Sequence, residues 1–173
     1  MPGGARGNVE DPAAAVIAHA GHDELRQLER GLDLAAIALA AEQLGGAQRC
    51  LDMSVEYAKV RYQFGRPIGS FQAVKHRCAD MLLQVESARS AALYAAWAAA
   101  EQSPEVPVVA SLAKATCSEA YFRAAADNIQ IHGGIGFTWE HDAHLYFKRA
   151  KSSQLFLGDV AYHRAQLASR IGV

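Results

Sequence analysis

The stretch Leu32–Gln63, "LDLAAIALAAEQLGGAQRCLDMSVEYAKVRYQ", decides the fold. Within it Ile37, Leu44, Leu51, Val55, Ala58 and Tyr62 recur at spacings of seven, seven, four, three and four. Those steps put all six on one apolar stripe of a helix. The spacing predicts a single long helix over Leu32–Gln63. Gly45 and Gly46 fall inside it, where glycine weakens a helix, and are expected to mark close packing against a neighbouring helix.

The same period continues outward. "FGRPIGS" (Phe64–Ser70) ends the first helix with two glycines and a proline, and Ser70 is the expected N-cap of the next. A second helix is predicted over Phe71–Gln102, with Val74, Cys78, Met81, Val85, Ala88 and Ala92 alternating at four and three residues like a bundle seam. Its small-residue run "ARSAALYAAWAAA" lets neighbouring helices come close. "SPEVP" stops it. A third helix is predicted over Val108–Ile131, with Val109, Leu112, Ala113, Thr116 and Ala120 on one face. After the glycines of "QIHGGIGF", Thr138 is expected to cap a fourth helix, with Glu140 and Asp142 in its first turn. A break at "LFLGD" (Leu155–Asp159) leads to a last helix carrying Val160, Leu167 and Ile171. No window alternates with a period of two, so no strand is expected. The predicted architecture is an all-α, antiparallel up-and-down helical bundle of about four long helices plus shorter ones. Residues 1–22, rich in Gly, Pro and Ala, are expected to form a flexible leader to a bundle over 23–173.

A net charge of −1 over 173 residues removes the electrostatic case for a nucleic-acid binder. No apolar run approaches the roughly 18 residues of a membrane span. "AAAVIAHA" lacks the basic start of a secretory signal, so a cytoplasmic protein is expected. Cys50, Cys78 and Cys117 lie far apart, without metal or redox spacing, and are expected to be free thiols.

Three stretches hold chemistry-bearing residues. His132, His141 and His144 raise the question of a metal, but the sequence Glu-His-Asp-Ala-His does not place a base beside two ligands, and no metal site is expected. "RYQFGRPIGSFQ" (Arg61–Gln72) sets an arginine and a glycine turn at a helix junction. That suits a phosphate, and it equally suits a plain hairpin with exposed charge. In "QIHGGIGF" adjacent glycines open backbone N–H groups to a ligand, or simply turn the chain. The spacing is not that of a dinucleotide-binding strand–turn–helix.

Together these segments resemble the C-terminal helical domain of the acyl-CoA dehydrogenases over about Leu32 to Ile171. The family pattern R-x-x-F-G-x-x-I-x-x-F-Q, ending in A-D-M, is met by Arg61, Phe64, Gly65, Ile68, Phe71, Gln72, Ala79, Asp80 and Met81. The pattern Q-x-x-G-G-x-G-F is met by Gln130, Gly133, Gly134, Gly136 and Phe137. The resemblance implies FAD, shared with a neighbouring subunit. Arg61, Gln63 and Phe64 would approach its pyrophosphate and ribityl region, and Gln72 its adenosine part. Gln130, Gly133 and Gly134 would meet its phosphates or adenosine end. It further implies an acyl-CoA substrate, α,β-dehydrogenation, homo- or hetero-oligomers with acyl-CoA dehydrogenase-like chains, and an electron-transfer flavoprotein as partner.

The chain departs from the family at the base. Many members carry a glutamate in Q-x-x-E-G-T, and here Leu157 stands in its place within Gln154–Asp159. Others carry it early in the first long helix, near Ala35, followed by an arginine where this chain has Ala36. Asp33 and Asp159 are the nearest acids, and Asp159 is the weak candidate. The residues before the match are also too few for the family's β-domain. The expectation is therefore a domain or subunit that is not active alone. The alternatives are a non-catalytic assembly subunit and a helical interaction protein with no flavin role.

Overall fold

The computed structural model describes residues 21–173, so the expected leader lies outside the described residues except for Gly21 and His22. Helix α1 runs from His22 to Val60. It starts ten residues before the apolar stripe predicts. Asp23 and Glu24 favour its positive end, and the Glu24 carboxylate accepts the Gly21 N–H at 2.9 Å. This first stretch is largely exposed, so no stripe announces it. At the far end the helix stops at Val60 rather than Gln63, because Arg61 turns extended. Tyr62 therefore leaves the stripe and is 60% exposed. It lies in a two-stranded antiparallel hairpin, β1 (Tyr62–Gln63) and β2 (Arg66–Pro67), which strand patterning over two residues cannot signal.

After a 3-10 turn at Ile68–Ser70, α2 spans Gln72–Ala100, α3 Val106–His132, α4 Ala143–Leu155 and α5 Val160–Ile171. Among the described residues there are thus three long helices and two short ones. α3 is central and packs against the other four. Ion pairs and hydrogen bonds fix directions: Arg77 of α2 pairs with Asp127 of α3, and Arg170 of α5 bonds Ser111 of α3, so both neighbours run antiparallel to α3. No described helix is long and apolar enough to cross a membrane.

The predicted α2 seam is buried at Met81, Val85, Ala88 and Ala92, with Val74 and Cys78 half-buried beside it. The α3 face needs correction. Leu112 is 41% exposed, whereas Ala110, Cys117, Ala124 and even Lys114 are fully buried. A central helix is covered on nearly every side, so a single stripe misdescribes it. The glycine pair divides. A Cβ on Gly46 would sit 2.4 Å from Tyr121 Cζ, whereas one on Gly45 would meet nothing within 4 Å.

Two expected caps fail. Ser70 Oγ is buried without a partner among the described residues, and Phe71 is the N-cap residue of α2. Gly69 presses the preceding 3-10 turn onto α1, where a Cβ would lie 2.8 Å from Ala58 O, and this carries Ser70 one residue short of the cap. Thr138 ends a second 3-10 turn, Gly133–Phe137, and its Oγ1 donates to Ile135 O at 2.9 Å. Glu140 and Asp142 therefore precede α4 rather than open it.

The three thiols are free. Burial pushes Cys50 and Cys117 up to about 12, with Arg49 and Lys114 respectively opposing it. Because the thiolate is the reactive form, iodoacetamide at pH 8 should alkylate half-buried Cys78 first and leave the other two intact until urea is added. Mass spectrometry of the native chain showing all three equally labelled would refute this packing.

Candidate functional site

The residues expected to meet a cofactor gather at one end of the bundle. α1 and α3 both finish there, and α2 begins there. Tyr57 stacks on His132 at 4.3 Å, tying the last turn of α1 to the last turn of α3. Arg61, Gln63, Phe64, Gln72, Gln130, Gly133 and Gly134 are all exposed at this end.

The hairpin loop is Phe64-Gly65, both with positive φ, 53° and 77°. Two left-handed residues make the tight turn that matches strand twist, and they suit glycine far better than phenylalanine. Phe64 nevertheless holds this conformation with its ring 91% exposed, edge-on to Phe71 at 6.1 Å. Arg66 lies over the Phe71 ring at 4.1 Å. Arg61 makes no ion pair among the described residues.

The three glycines of "HGGIGF" have three different circumstances. Gly133 ends α3 at φ 65°, ψ −140°, a conformation closed to side chains. Gly136 is buried, and a Cβ there would meet Ile129 O at 3.0 Å. Gly134 has ordinary φ and nothing within 4 Å, so neither the turn nor packing among the described residues calls for glycine there.

The histidines of this stretch are spent locally. His132 Nδ1 bonds Asn128 O at 2.8 Å, and the ring lies tilted at 47° against His141, centroids 4.3 Å apart. Burial lowers its pKa, with the Asn128 bond opposing. His141 Nδ1 accepts the Ala143 N–H at 3.1 Å, and His144 Nδ1 bonds His141 O at 2.7 Å. Among the described residues no three His, Cys, Asp or Glu side chains converge on one point.

The positions at which a base is expected lie toward the opposite end. A cavity of about 420 Å³ opens between α1, α3, α5 and the α4–α5 loop, and both Leu157 and Ala36 line it. Ala35 is exposed on the next helical position. Leu157 takes a left-handed φ of 61° and Gly158 one of 98°. Asp159 Oδ1 accepts the Tyr162 N–H at 2.8 Å, so this carboxylate caps α5. Asp33 pairs with Arg170 at 3.0 Å, and Arg170 also donates to Ser111 Oγ at 2.9 Å and to Pro107 O. Burial raises the Asp33 pKa, with Arg170 opposing.

Pattern reasoning missed what holds this loop. Lys114 is fully buried, and its ammonium reaches Ser118 Oγ (3.0 Å), Ser153 O (3.2 Å), Gln154 O (3.3 Å) and Gly158 O (3.1 Å). It sits at the C-terminal end of α4, where carbonyls lack partners and a cation is favoured. Gln43 completes the network, donating to Ser153 Oγ at 3.2 Å and accepting from Ser118 Oγ at 3.1 Å. Burial lowers Lys114 from 10.5 to about 8, opposed by Asp159. The only signal was a lysine flanked by Ala110, Ala113 and Cys117 at core spacing. His163 was missed too. It is buried, bonds Leu157 O through Nε2 at 2.9 Å, and has its pKa lowered by burial.

Comparisons with known proteins show the family and the fold. The family described as "Acyl-CoA dehydrogenase, C-terminal domain" matches residues 25–172. The acyl-CoA dehydrogenase IpdE2 of Mycobacterium tuberculosis is 55% identical over 125 residues, covering 72% of this chain and 37% of that protein. The structure of the ChsE4–ChsE5 complex from Mycobacterium tuberculosis superposes with a TM-score of 0.79 at 35% identity, covering 87% of this chain and 40% of that one. That of an FAD-dependent dehydrogenase gives 0.78 at 35% identity, over 82% and 38%. The chain thus spans little more than a third of the length of these relatives. With the motif residues at one end of a helical bundle of this shape, the chain belongs to the acyl-CoA dehydrogenase family and corresponds to its C-terminal helical domain.

Proposed function

We propose that this chain is the flavin-contacting C-terminal part of an acyl-CoA dehydrogenase assembly that removes hydrogens from Cα and Cβ of an acyl thioester. In this reading a partner chain of different sequence supplies the carboxylate base, and the flavin pocket extends beyond these residues. The carrying observation is the exposed end of the bundle. It presents an Arg61 guanidinium that pairs with no described carboxylate, a strained outward Phe64 and a Gly134 that no described contact requires.

These groups suit FAD. The Arg61 fork matches a pyrophosphate, the bare backbone at Gly133 and Gly134 admits phosphate oxygens, and the Phe64 ring offers a face to a planar group. When bound, FAD supplies the acceptor for hydride leaving Cβ. Gln63, Gln72 and Gln130 hold exposed amides ready for the ribityl and adenosine parts.

Separation within the chain supports sharing between subunits. From Ala36 to Val60, α1 advances 24 residues, about 36 Å at 1.5 Å per residue. That is too far for one flavin to touch Arg61 and also face the Leu157 cavity of the same chain. A base from another chain is favoured, because Leu157 and Ala35 carry no proton acceptor, Asp159 is engaged as a cap and Asp33 is paired with Arg170. The same absence supports a second reading, in which the chain is a purely structural subunit.

Mixed with a flavoprotein chain of the same family from its own source, this chain should purify as a yellow complex. Arg61→Ala should weaken flavin retention in that complex at least about tenfold, the scale of a lost charge-assisted bond. A complex with undiminished flavin but weakened assembly would favour the structural subunit. A colourless complex with every such partner would overturn the proposal.

A further inference from the structure

Where α1 ends and α2 begins, a cavity of about 440 Å³ opens between the two helices and the turn that joins them. Val55 and Ala58 of α1, Pro67 of β2 and Val74 of α2 wall it with carbon, and half-buried Cys78 lines it too. The volume falls within the range of small-molecule sites. None of the residues placed above at the flavin lines this cavity, and it shares no residue with the cavity beside Leu157.

Its charged groups have one sign. Lys59 and Lys75, both exposed, line it, and no Asp or Glu does among the described residues. Neither lysine is in an ion pair among the described residues. Their settings differ. Lys59 is in the last turn of α1, where a cation offsets the negative helix end. Lys75 is at the start of α2, where a cation is disfavoured. No acidic residue accompanies it in that turn, and no side chain caps the helix. Positive charge is thus left without compensation beside an apolar cavity.

That pairing defines a ligand. The methylene stems of the two lysines extend the apolar surface while their heads stay in water. An apolar chain with an anionic head meets both features. A cationic amphiphile would meet repulsion, and a compact anion would leave the carbon walls wet. We propose that this cavity binds an apolar carboxylate of medium chain length, its chain against Val55, Pro67 and Val74 and its head at Lys59 and Lys75. The site needs no flavin and uses none of the flavin residues, so its failure would leave the flavin reading standing.

The full chain would be titrated by calorimetry with decanoate and with decylammonium, the same chain with a head of opposite sign. Decanoate should bind at least about tenfold more tightly, the scale of two solvated ion pairs gained by one head and opposed for the other. The gap should narrow at high salt. Location is read at Cys78. Decanoate should slow its alkylation by iodoacetamide, while Cys50 and Cys117 stay unlabelled. Lys59→Gln combined with Lys75→Gln should bring the two affinities within about twofold of each other, with circular dichroism unchanged. Salt dependence and Cys78 protection are read on the unaltered chain, so they decide the matter even if that variant fails to fold. Equal affinities for the two heads, or Cys78 alkylated at an undiminished rate at saturation, would overturn the proposal. So would labelling of Cys50 and Cys117, which marks detergent-like unfolding. Protection of Cys78 that grows with chain concentration alone would give the groove to a second copy instead.

Discussion

Lys114→Met will destabilise the folded chain by about 2–4 kcal/mol at pH 7. Methionine nearly fills the volume, so the loss is not a cavity. It is the stranding of the carbonyls of Ser153, Gln154 and Gly158, which the ammonium now serves. Each buried acceptor left without a donor costs about 1–3 kcal/mol. Relief from burying a charge offsets part of this. The pH dependence has a definite sign. The folded pKa lies at about 8 and the unfolded value at 10.5, so between them the unfolded chain holds a proton the folded chain has released. Stability attributable to Lys114 therefore rises from pH 8 toward 10.5. Cys50 and Cys117 act oppositely, since their folded values near 12 exceed the ordinary 9.0, but they do so in both proteins and cancel in the difference. Urea unfolding of wild type and variant at pH 7.5 and 9.5 should show the gap widening. Equal stability at both values would mean that the network is dispensable.

Gly46→Ala should destabilise by about 1–3 kcal/mol, the scale of overpacking a filled core. Its neighbour provides the control. Gly45→Ala should stabilise by about 0.5–1 kcal/mol, the ordinary helix gain. Both positions lie in α1, both are helical, and both changes are chemically the same. They differ in what stands opposite, which at Gly46 is the ring of Tyr121, itself only 2% exposed and without room to retreat. Thermal unfolding followed by circular dichroism separates the two outcomes. Stabilisation at both positions would show that Tyr121 does not pin α1 against α3.

Much of this was legible beforehand because periodicity is a local property. The steps of three and four at Met81, Val85, Ala88 and Ala92 mark a buried seam whichever helix lies opposite. The two motifs around Arg61 and Gly133 carried their resemblance in residue type and spacing alone. Boundaries were less legible. α1 begins in a solvated stretch with no stripe, and Thr138 faces Ile135 O rather than a following helix, which no preceding pattern distinguishes.

The sequence by itself determined an all-helical bundle, a family resemblance, the residue types available to a flavin, and the absence of a carboxylate at Leu157 and Ala35. These depend on identity and spacing along one chain. Only the tertiary structure decided that Gly46 packs while Gly45 does not, that Lys114 serves the end of α4, and that buried His163 holds the carbonyl of Leu157. Each of those depends on contacts between residues far apart in sequence, such as Lys114 with Gly158 and Gly46 with Tyr121. A helical period says which side of a helix is buried, but the partner on that side is set by how the helices cross.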